Sequence, residues 1–336
     1  MQNFDALPLA RVPAAAPARR SRVLLLGVAL WALLLAAGFF MPKWLAFLLT
    51  MAASHGLVSL GIVLLMRGGV VSFGQGMVFA VGGYCAALAF GKWGITDAIG
   101  LTLLGGTAAT LVALPFSPLL SRYRGIFFAM LTLALSMVTY GVLVKTSALG
   151  GSDGFNLGRP TLFGQQLPDD RVSYVLFAVT ISFAAALALL ARLYFDSTRG
   201  LATLAVKENE LRVEYLGGSV RQAMAINFTL AAFAGGAGGA LTVMSLGHID
   251  PNFSYWTTSG EFVFVAILAG WQSVLAVFVA STLLEVVRSF SSLYFPNTWQ
   301  LALGLFLLLV IRFLPRGIGS LWIDRQGNSQ RKGGRP

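Results

Sequence analysis

The sequence predicts an all-α protein, a polytopic bundle of transmembrane helices, and three observations lead to that prediction. Of the 336 residues, 57% are hydrophobic and only 11% are charged, with a mean hydropathy of +0.77, whereas soluble domains average about 45–50% apolar residues. The apolar residues form runs of about 20, the length that a helix needs to cross a bilayer. The 38 glycines lie largely inside these runs, where small residues let membrane helices approach closely. A soluble globular protein is therefore excluded.

About ten segments of the chain are apolar enough to be membrane spans. They cover residues 23–41, 44–66, 70–90, 95–120, 125–145, 173–193, 221–246, 258–271, 273–293 and 299–314. The eighth segment is short and is separated from the ninth only by residues 270–273. It fits either a full crossing or a re-entrant half-crossing, so a bundle of eight spans is the alternative.

The first segment follows Arg19, Arg20 and Arg22, a pattern that also precedes signal peptides. Its apolar stretch is long for a signal peptide, and no small-x-small cleavage site follows before Pro42. We therefore predict a retained first span.

The distribution of Lys and Arg predicts the orientation. If both termini are cytoplasmic, eighteen of the 24 basic residues lie on the cytoplasmic side, as the positive-inside rule requires. Basic cytoplasmic tails are then expected over residues 1–22 and 315–336, on either side of a transmembrane domain over residues 23–314. The formal charge of +11 follows from this orientation, so the partners expected at the surface are membrane lipid and proteins, not nucleic acid.

Two connections exceed the usual length of loops in compact domains, and function is expected to concentrate in them. The first is an outer loop over residues 146–172, in which Gly150, Ser152 and Asp153 favour tight turns. A turn is the simplest interpretation of this motif. The alternative is that Ser152 and Asp153 meet a solute or an external partner.

The second long connection is a cytoplasmic loop over residues 196–220. Five of its eight residues from Lys207 to Glu214 are charged. Ser197 or Thr198 can cap a helix, Glu208 and Arg212 are spaced for an i,i+4 ion pair, and Gly217 with Gly218 can end the helix. We expect one short helix, which either is a solvated or lipid-surface connector or docks into a partner. Docking is favoured because a lipid-surface helix should be richer in basic residues.

Glycines 68, 69, 74 and 76 superficially suggest a phosphate-binding loop. Gly74 is followed by Gln75 and Gly76, so the lysine and hydroxyl residue of a P-loop are missing, and no nucleotide cofactor is expected on this chain. The stretch indicates either helix packing or a helix break that lines a polar path. Gly235 and Gly239 form a small-x3-small contact motif, which is mostly structural.

Few residues of the chain suit catalysis. Cys85 is the single cysteine, and the two histidines lack the spacing of a metal site or a catalytic triad. Glu285 and Arg288 lie three residues apart inside a predicted span and are expected to neutralise each other or to meet a solute. We expect His55 to be a neutral, hydrogen-bonded residue of the bundle and Glu261 to face outer water.

Several motifs together resemble segments of branched-chain amino acid ABC transporter permeases of the leucine, isoleucine and valine uptake type. The ordered set covers roughly residues 56–318. Its members are VSFGQG at 71–76, VGGY at 81–84, GIFFAMLTLA at 125–134, GGSDG at 150–154, VKENELRVEYLG at 206–217, FAGGAGGA at 233–240 and FLPRGI at 313–318.

The resemblance implies a bacterial inner-membrane subunit that is not itself an enzyme. Its implied partners are a second homologous permease, ABC ATPase subunits that bind ATP, and a periplasmic solute-binding protein. The resemblance places coupling to the ATPase on Lys207, Glu208, Asn209, Glu210, Arg212, Glu214, Tyr215, Leu216 and Gly217. Polar groups expected along the solute path are Ser72, Gln75, Tyr84, Thr132, Ser152, Asp153 and Glu285.

The solute is expected to be a branched-chain amino acid or a related small polar molecule. The sequence departs from the family's pattern at Arg67, Gly68, Gly76 and Met77, beside the expected path, so permeases for urea, short amides or aromatic acids are alternatives. Two other classes are a secondary transporter and an integral membrane enzyme. The charged segment 207–214 favours an external ATPase over the former, and the lack of clustered catalytic residues argues against the latter.

Overall fold

The computed structural model describes residues 17–320 except for 166–167, 169–170, 295, 297 and 315–316. Most of the two basic tails predicted over residues 1–22 and 315–336 therefore lies outside the described residues. The described chain is almost wholly helical. Its helices are α1 (Pro17–Phe40), α2 (Lys43–Met66), α3 (Gln75–Trp93), α4 (Ala98–Ala113), α5 (Ser117–Leu120), α6 (Gly125–Lys145), α7 (Val172–Phe195), α8 (Thr198–Glu208), α9 (Glu210–Tyr215), α10 (Val220–Leu246), α11 (Trp256–Ala269), α12 (Val274–Tyr294) and α13 (Trp299–Phe313).

Six of these helices, α2, α3, α6, α7, α10 and α12, are long and apolar enough to cross a membrane. Four shorter apolar helical stretches lie in α1, α4, α11 and α13. Each of the ten segments predicted from the sequence coincides with one of these helices, so the all-α bundle is confirmed. The number of crossings stays a prediction.

The centre of the bundle is built from α2, α3, α4 and α10, which pack closely because their contacts are made by glycines. A Cβ added at Gly82 of α3 would overlap the backbone of Gly236 in α10, and one added at Gly239 would overlap the carbonyl oxygen of Phe79. Gly105 of α4 lies against Ala240 in the same way. The small-residue motif at Gly235 and Gly239 is therefore a packing motif, as predicted.

Two of the predicted segments differ in the structure, since one is divided into two helices and the other begins later. The segment predicted over residues 95–120 ends as α4 at Ala113 and resumes as α5, because Pro115 has no amide hydrogen and disfavours helix at the residue before it. The segment predicted to begin at residue 70 becomes helical only at Gln75. Residues 67–74 are non-helical and include Gly69 in the left-handed region, at φ +81°.

A second segment without α-helix, residues 247–255, separates α10 from α11. It contains the strand β2 (His248–Ile249), which pairs antiparallel with β1 (Phe155–Asn156) of the long loop over residues 146–172, and a 3-10 helix over Pro251–Ser254. Gly154 is required beside β1, because a Cβ there would collide with the carbonyl oxygen of Ile249. The long loop is thus held against the 247–255 segment that separates α10 from α11.

Candidate functional site

The two interruptions, residues 67–74 and 247–255, meet inside the bundle. The amide of Gly76, at the start of α3, donates a hydrogen bond to Ser259 Oγ in α11 at 3.0 Å. Ser136 Oγ of α6 donates to the carbonyl oxygen of Ser254 at 2.7 Å. All three serines are buried. We call the contact among these residues the junction, and it brings the starts of two helices into the interior, as in proteins that bind solutes between broken helices.

Three predicted path residues, Ser72, Thr132 and Gln75, lie on the α3 side of the junction, and all three are buried. Thr132 Oγ1 accepts a hydrogen bond from the amide of Phe73 at 3.1 Å, and Ser72 Oγ accepts one from the amide of Gly74 at 3.1 Å. These two side chains hold the non-helical segment in place. Gln75 differs from them, because its Oε1 has no hydrogen-bond partner among the described residues.

The other predicted path residues lie elsewhere. The ring of Tyr84 packs edge-on against Phe155, with centroids 5.9 Å apart, and its buried hydroxyl has no hydrogen-bond partner within the described chain. Ser152 Oγ donates to Asp153 Oδ1 at 3.0 Å on the exposed surface of the long loop. Gly150, Gly151 and Gly154 nearby have positive φ, so this motif forms a turn. The structure therefore does not gather the seven predicted residues at one place.

Glu285, the seventh predicted residue, lines a cavity that also contains three further carboxylate or imidazole groups and one guanidinium. Its volume is about 340 Å³, within the range of about 300–1,000 Å³ that small-molecule sites occupy. Its walls come from α2, α3, α10, α11 and α12 and from the 247–255 segment. The lining residues are Phe47, Met51, His55, Phe79, Thr242, Leu246, Asp250, Asn252, Phe253, Thr258, Glu261, Phe262, Glu285 and Arg288.

Two charge contacts across helices organise this cavity. His55 Nδ1 of α2 lies 3.2 Å from Glu285 Oε2 of α12, and Arg288 Nη1 donates to Glu261 Oε2 of α11 at 3.0 Å. The sequence predicted that Glu285 and Arg288 neutralise each other or meet a solute, and in the structure each has a partner on another helix. Glu261 was expected to face outer water, and the structure shows that it lines this cavity and accepts a hydrogen bond from Arg288. The expected hydrogen bond of His55 is present.

Sequence reasoning missed His55, Glu261, Asp250 and Arg288 as members of one cavity. A signal was available, because Gly247 and Pro251 interrupt an apolar stretch and flank the acidic Asp250, a pattern typical of a helix break. Among the described residues, no group of three or more His, Cys, Asp and Glu side chains is placed to hold a metal ion.

The charged connection over residues 196–220 forms two helices, α8 and α9, where the sequence predicted one. Asn209 separates them, and its Oδ1 caps α9 by accepting from the amide of Arg212 at 3.0 Å. Glu208 and Arg212 are therefore not an i,i+4 pair within one helix. The predicted N-cap is confirmed at Ser197, whose hydroxyl accepts from the amide of Gly200, and Gly217 follows α9 with φ +83°.

Lys207 connects α8 to the 67–74 segment and to the turn after α11. Its Nζ lies 3.9 Å from the ring centroid of Trp271, in the turn after α11. Its side-chain stem packs on Gly69 of the 67–74 segment, where an added Cβ would lie 3.4 Å from Lys207 Cγ. Partial burial lowers the pKa of Lys207, and the nearby charge of Arg67 lowers it further. Lys207 therefore touches the end of α11 and the segment before α3 at once.

The outer side of α9 carries apolar residues that nothing in the described chain covers. Tyr215 is 88% exposed, Leu216 82% and Leu211 65%. An ion pair between Arg124 Nε, before α6, and Glu210 Oε1 at 2.6 Å fixes α9 against the bundle. Exposed aromatic and aliphatic residues beside charged ones are typical of a protein-docking surface.

Comparison with known proteins identifies the family. Residues 44–312 match the model of the branched-chain amino acid transport system permease component. The chain belongs to this family. The match spans α2 to α13 almost completely, and thus the junction, the cavity and the α8–α9 connection.

Curated relatives of this permease include the high-affinity branched-chain amino acid transport system permease protein LivM of Escherichia coli K12, 27% identical over 87% of this chain and 73% of the relative. LivM of Salmonella typhimurium is 27% identical over 80% of this chain and 68% of the relative. The permease protein BraD of Pseudomonas aeruginosa is 25% identical over 80% of this chain and 92% of the relative. No solved structure matches the chain significantly.

Family membership and the apolar helices make this permease a multi-pass inner-membrane protein. It is a transport subunit and not an enzyme, and ABC permeases work in general with ATPase and solute-binding partners. Two regions of the structure stand out: the cavity beside the junction and the exposed apolar residues of α9.

Proposed function

We propose that this chain is a permease subunit of a bacterial ABC importer and forms part of the membrane pathway for branched-chain amino acids. The observation that carries the proposal is the family match over residues 44–312. The names of the relatives, which are branched-chain amino acid permeases, support the solute. Permeases for urea, short amides or aromatic acids are the alternatives, which competition for uptake distinguishes.

In the proposed topology the chain crosses the membrane ten times and both termini are cytoplasmic. α10 has 27 residues and so is about 40 Å long at 1.5 Å per residue, which puts Gly247, where the 247–255 segment begins, at the end of the bundle opposite α8 and α9. α11 returns from there to Trp271, beside Lys207. With 14 residues, α11 is about 21 Å long, shorter than a bilayer core of about 30 Å. The extended 247–255 segment completes this eighth crossing.

We infer that α8 and α9 form the coupling surface for a separate ATPase subunit. The exposed Tyr215 and Leu216 provide apolar contact, and the exposed Glu208 and Glu214 provide charge. A displacement of α8 during closure of the ATPase would move Lys207 and, through it, Trp271 and Gly69. The 67–74 segment and the end of α11 would shift together. This shift would change the access of solute to the junction as the transporter passes between its outward-open and inward-open states.

Charge reversal on the coupling surface tests this part of the proposal. We expect Glu208→Lys combined with Tyr215→Ala to reduce co-purification with the ATPase subunit and to abolish stimulation of ATP hydrolysis by the solute-loaded binding protein. Glu210 is left unchanged because it binds Arg124 within the chain. Lys92→Gln, an exposed change at the opposite end of the bundle, is the matched control. An intact complex with normal stimulation in the double variant would remove α8 and α9 from the coupling role.

A further inference from the structure

The cavity beside the junction lies in the half of the bundle opposite α8 and α9. It is bounded by the beginning of α2, the end of α10 and the 247–255 segment, all of which lie toward that end. In the proposed orientation this is the periplasmic half. A solute released by a binding protein would therefore meet this cavity before it reaches the junction.

The cavity carries charges of both signs within a small volume. Arg288 supplies a permanent positive charge and remains 36% exposed while it binds Glu261. Glu285 is engaged by His55, and Asp250 adds a third carboxylate, whose Oδ1 accepts a hydrogen bond from the amide of Asn252. A ligand that has both a carboxylate and an ammonium group matches such a set, because each of its charges finds an opposite charge.

The rest of the cavity wall is apolar and largely aromatic. Phe79 stacks on Phe253 with centroids 5.0 Å apart and planes 13° apart, and Phe262 meets Phe79 edge-on at 5.0 Å. Met51 and Leu246 complete this wall. The aromatic surface begins directly beside the charged groups, since the ring of His55 lies 5.5 Å from that of Phe262. An aliphatic side chain next to the two charges of a ligand would pack here.

We propose that this cavity is a transient binding site for a zwitterionic amino acid with an apolar side chain, a proposal that rests on the function proposed above. The carboxylate of the ligand binds Arg288, its ammonium group binds Glu261 and Asp250, and its side chain lies against Phe79 and Phe253. Arg288 is suited to the carboxylate because its guanidinium can make two parallel hydrogen bonds. Binding exchanges part of the Arg288–Glu261 ion pair for contacts of both residues with the ligand.

Protection of an introduced cysteine tests the proposal without requiring transport. Asn252 is exposed at the cavity, its backbone amide donates to Asp250, and its backbone carbonyl oxygen accepts from Thr258. In the complete transporter in membrane vesicles, Asn252→Cys is combined with Cys85→Ser and labelled with a membrane-impermeant thiol reagent. We expect L-leucine to slow labelling saturably. The carboxylate 4-methylpentanoate and the amine isoamylamine each carry only one of the two charges. For the same protection of the cysteine they should require concentrations at least tenfold higher than that of L-leucine.

A variant series assigns the contact. In the same background, Arg288→Gln should raise the leucine concentration needed for half-maximal protection at least tenfold. Arg288→Lys should raise this concentration by less, and Lys92→Gln should leave it unchanged. Labelling in the absence of leucine reports whether each variant retains its fold. The comparison of the three ligands stands even if Arg288→Gln does not assemble.

Different failures separate this proposal from the proposed function. ATP-driven leucine uptake with no protection of Asn252→Cys, or equal protection by all three ligands, would overturn the binding site and leave the transport function intact. Protection by leucine without any leucine uptake by the unmodified transporter would support the site and overturn the import function.

Discussion

Removing the charge of Lys207 tests how the coupling surface acts on the junction. Lys207 Nζ lies 3.9 Å from the centroid of the Trp271 ring, and because Lys207 is exposed a cation–π contact of this kind is worth about 0.5–1 kcal/mol. That corresponds to about a two- to fivefold change in the equilibrium between the two states, since about 1.4 kcal/mol is tenfold. We expect Lys207→Met, which keeps most of the stem that packs on Gly69, to lower solute-stimulated ATPase activity by this factor.

The assay is a double-mutant cycle in the reconstituted transporter, with Trp271→Leu as the second change. Lys207→Met and Trp271→Leu should each reduce stimulation, the double variant should be no worse than the stronger single variant, and Lys207→Arg should retain stimulation. Raising the pH adds a check. Because the pKa of Lys207 is lowered, the contact should be lost at a lower pH than that at which a free lysine loses its charge, while Lys207→Arg stays active. Additive effects of the two changes would refute the proposed path through Trp271.

Three further outcomes are expected from contacts in the bundle centre, beside α9 and at the junction. Gly239→Ala forces a methyl group against the backbone of α3 and should lower stability by about 1–3 kcal/mol. The measurement is the thermal unfolding temperature of the protein in detergent, which should fall. Gly141→Ala, where an added Cβ has nothing within 4 Å, should have little effect. Arg124→Gln removes the ion pair with Glu210 and should weaken binding of the ATPase subunit by about two- to fivefold, a loss expected to shrink at high salt because both side chains are partly exposed. Ser136→Ala removes the hydroxyl that donates to the buried carbonyl oxygen of Ser254 in the junction. It should lower stability by about 1–3 kcal/mol, measured in the same unfolding assay, with normal subunit assembly.

The sequence predicted the helices well where the pattern is local. The ten apolar segments, the N-cap at Ser197 and the turn at Gly150 all follow from composition and from residues close together in the chain. The glycine-rich stretch before α3 suggested either packing or a helix break, and the structure shows a break there. The charged segment from Lys207 to Glu214 was identified as a distinct surface by its charge density alone.

The sequence did not predict contacts between distant parts of the chain. The spacing of Glu285 and Arg288 on one helix suggested that they neutralise each other or meet a solute, but their partners His55 and Glu261 depend on how three helices pack. The division of the α8–α9 connection at Asn209 was missed because Asn is tolerated in helices, and only the capping geometry reveals its role. The periodicity of apolar residues within one segment indicates neither the partner of a side chain on another helix nor the residue at which a helix is capped.

ATP-dependent uptake by the purified transporter tests the central claim most directly. The chain is reconstituted into proteoliposomes with its companion permease and ATPase subunits, and uptake of labelled L-leucine is measured with the solute-loaded binding protein outside the vesicles and ATP inside. We predict accumulation that requires ATP, the binding protein and every subunit. Leucine accumulation by this chain alone in vesicles without ATP would contradict the account, because it would identify a secondary transporter instead of a subunit driven by a separate ATPase.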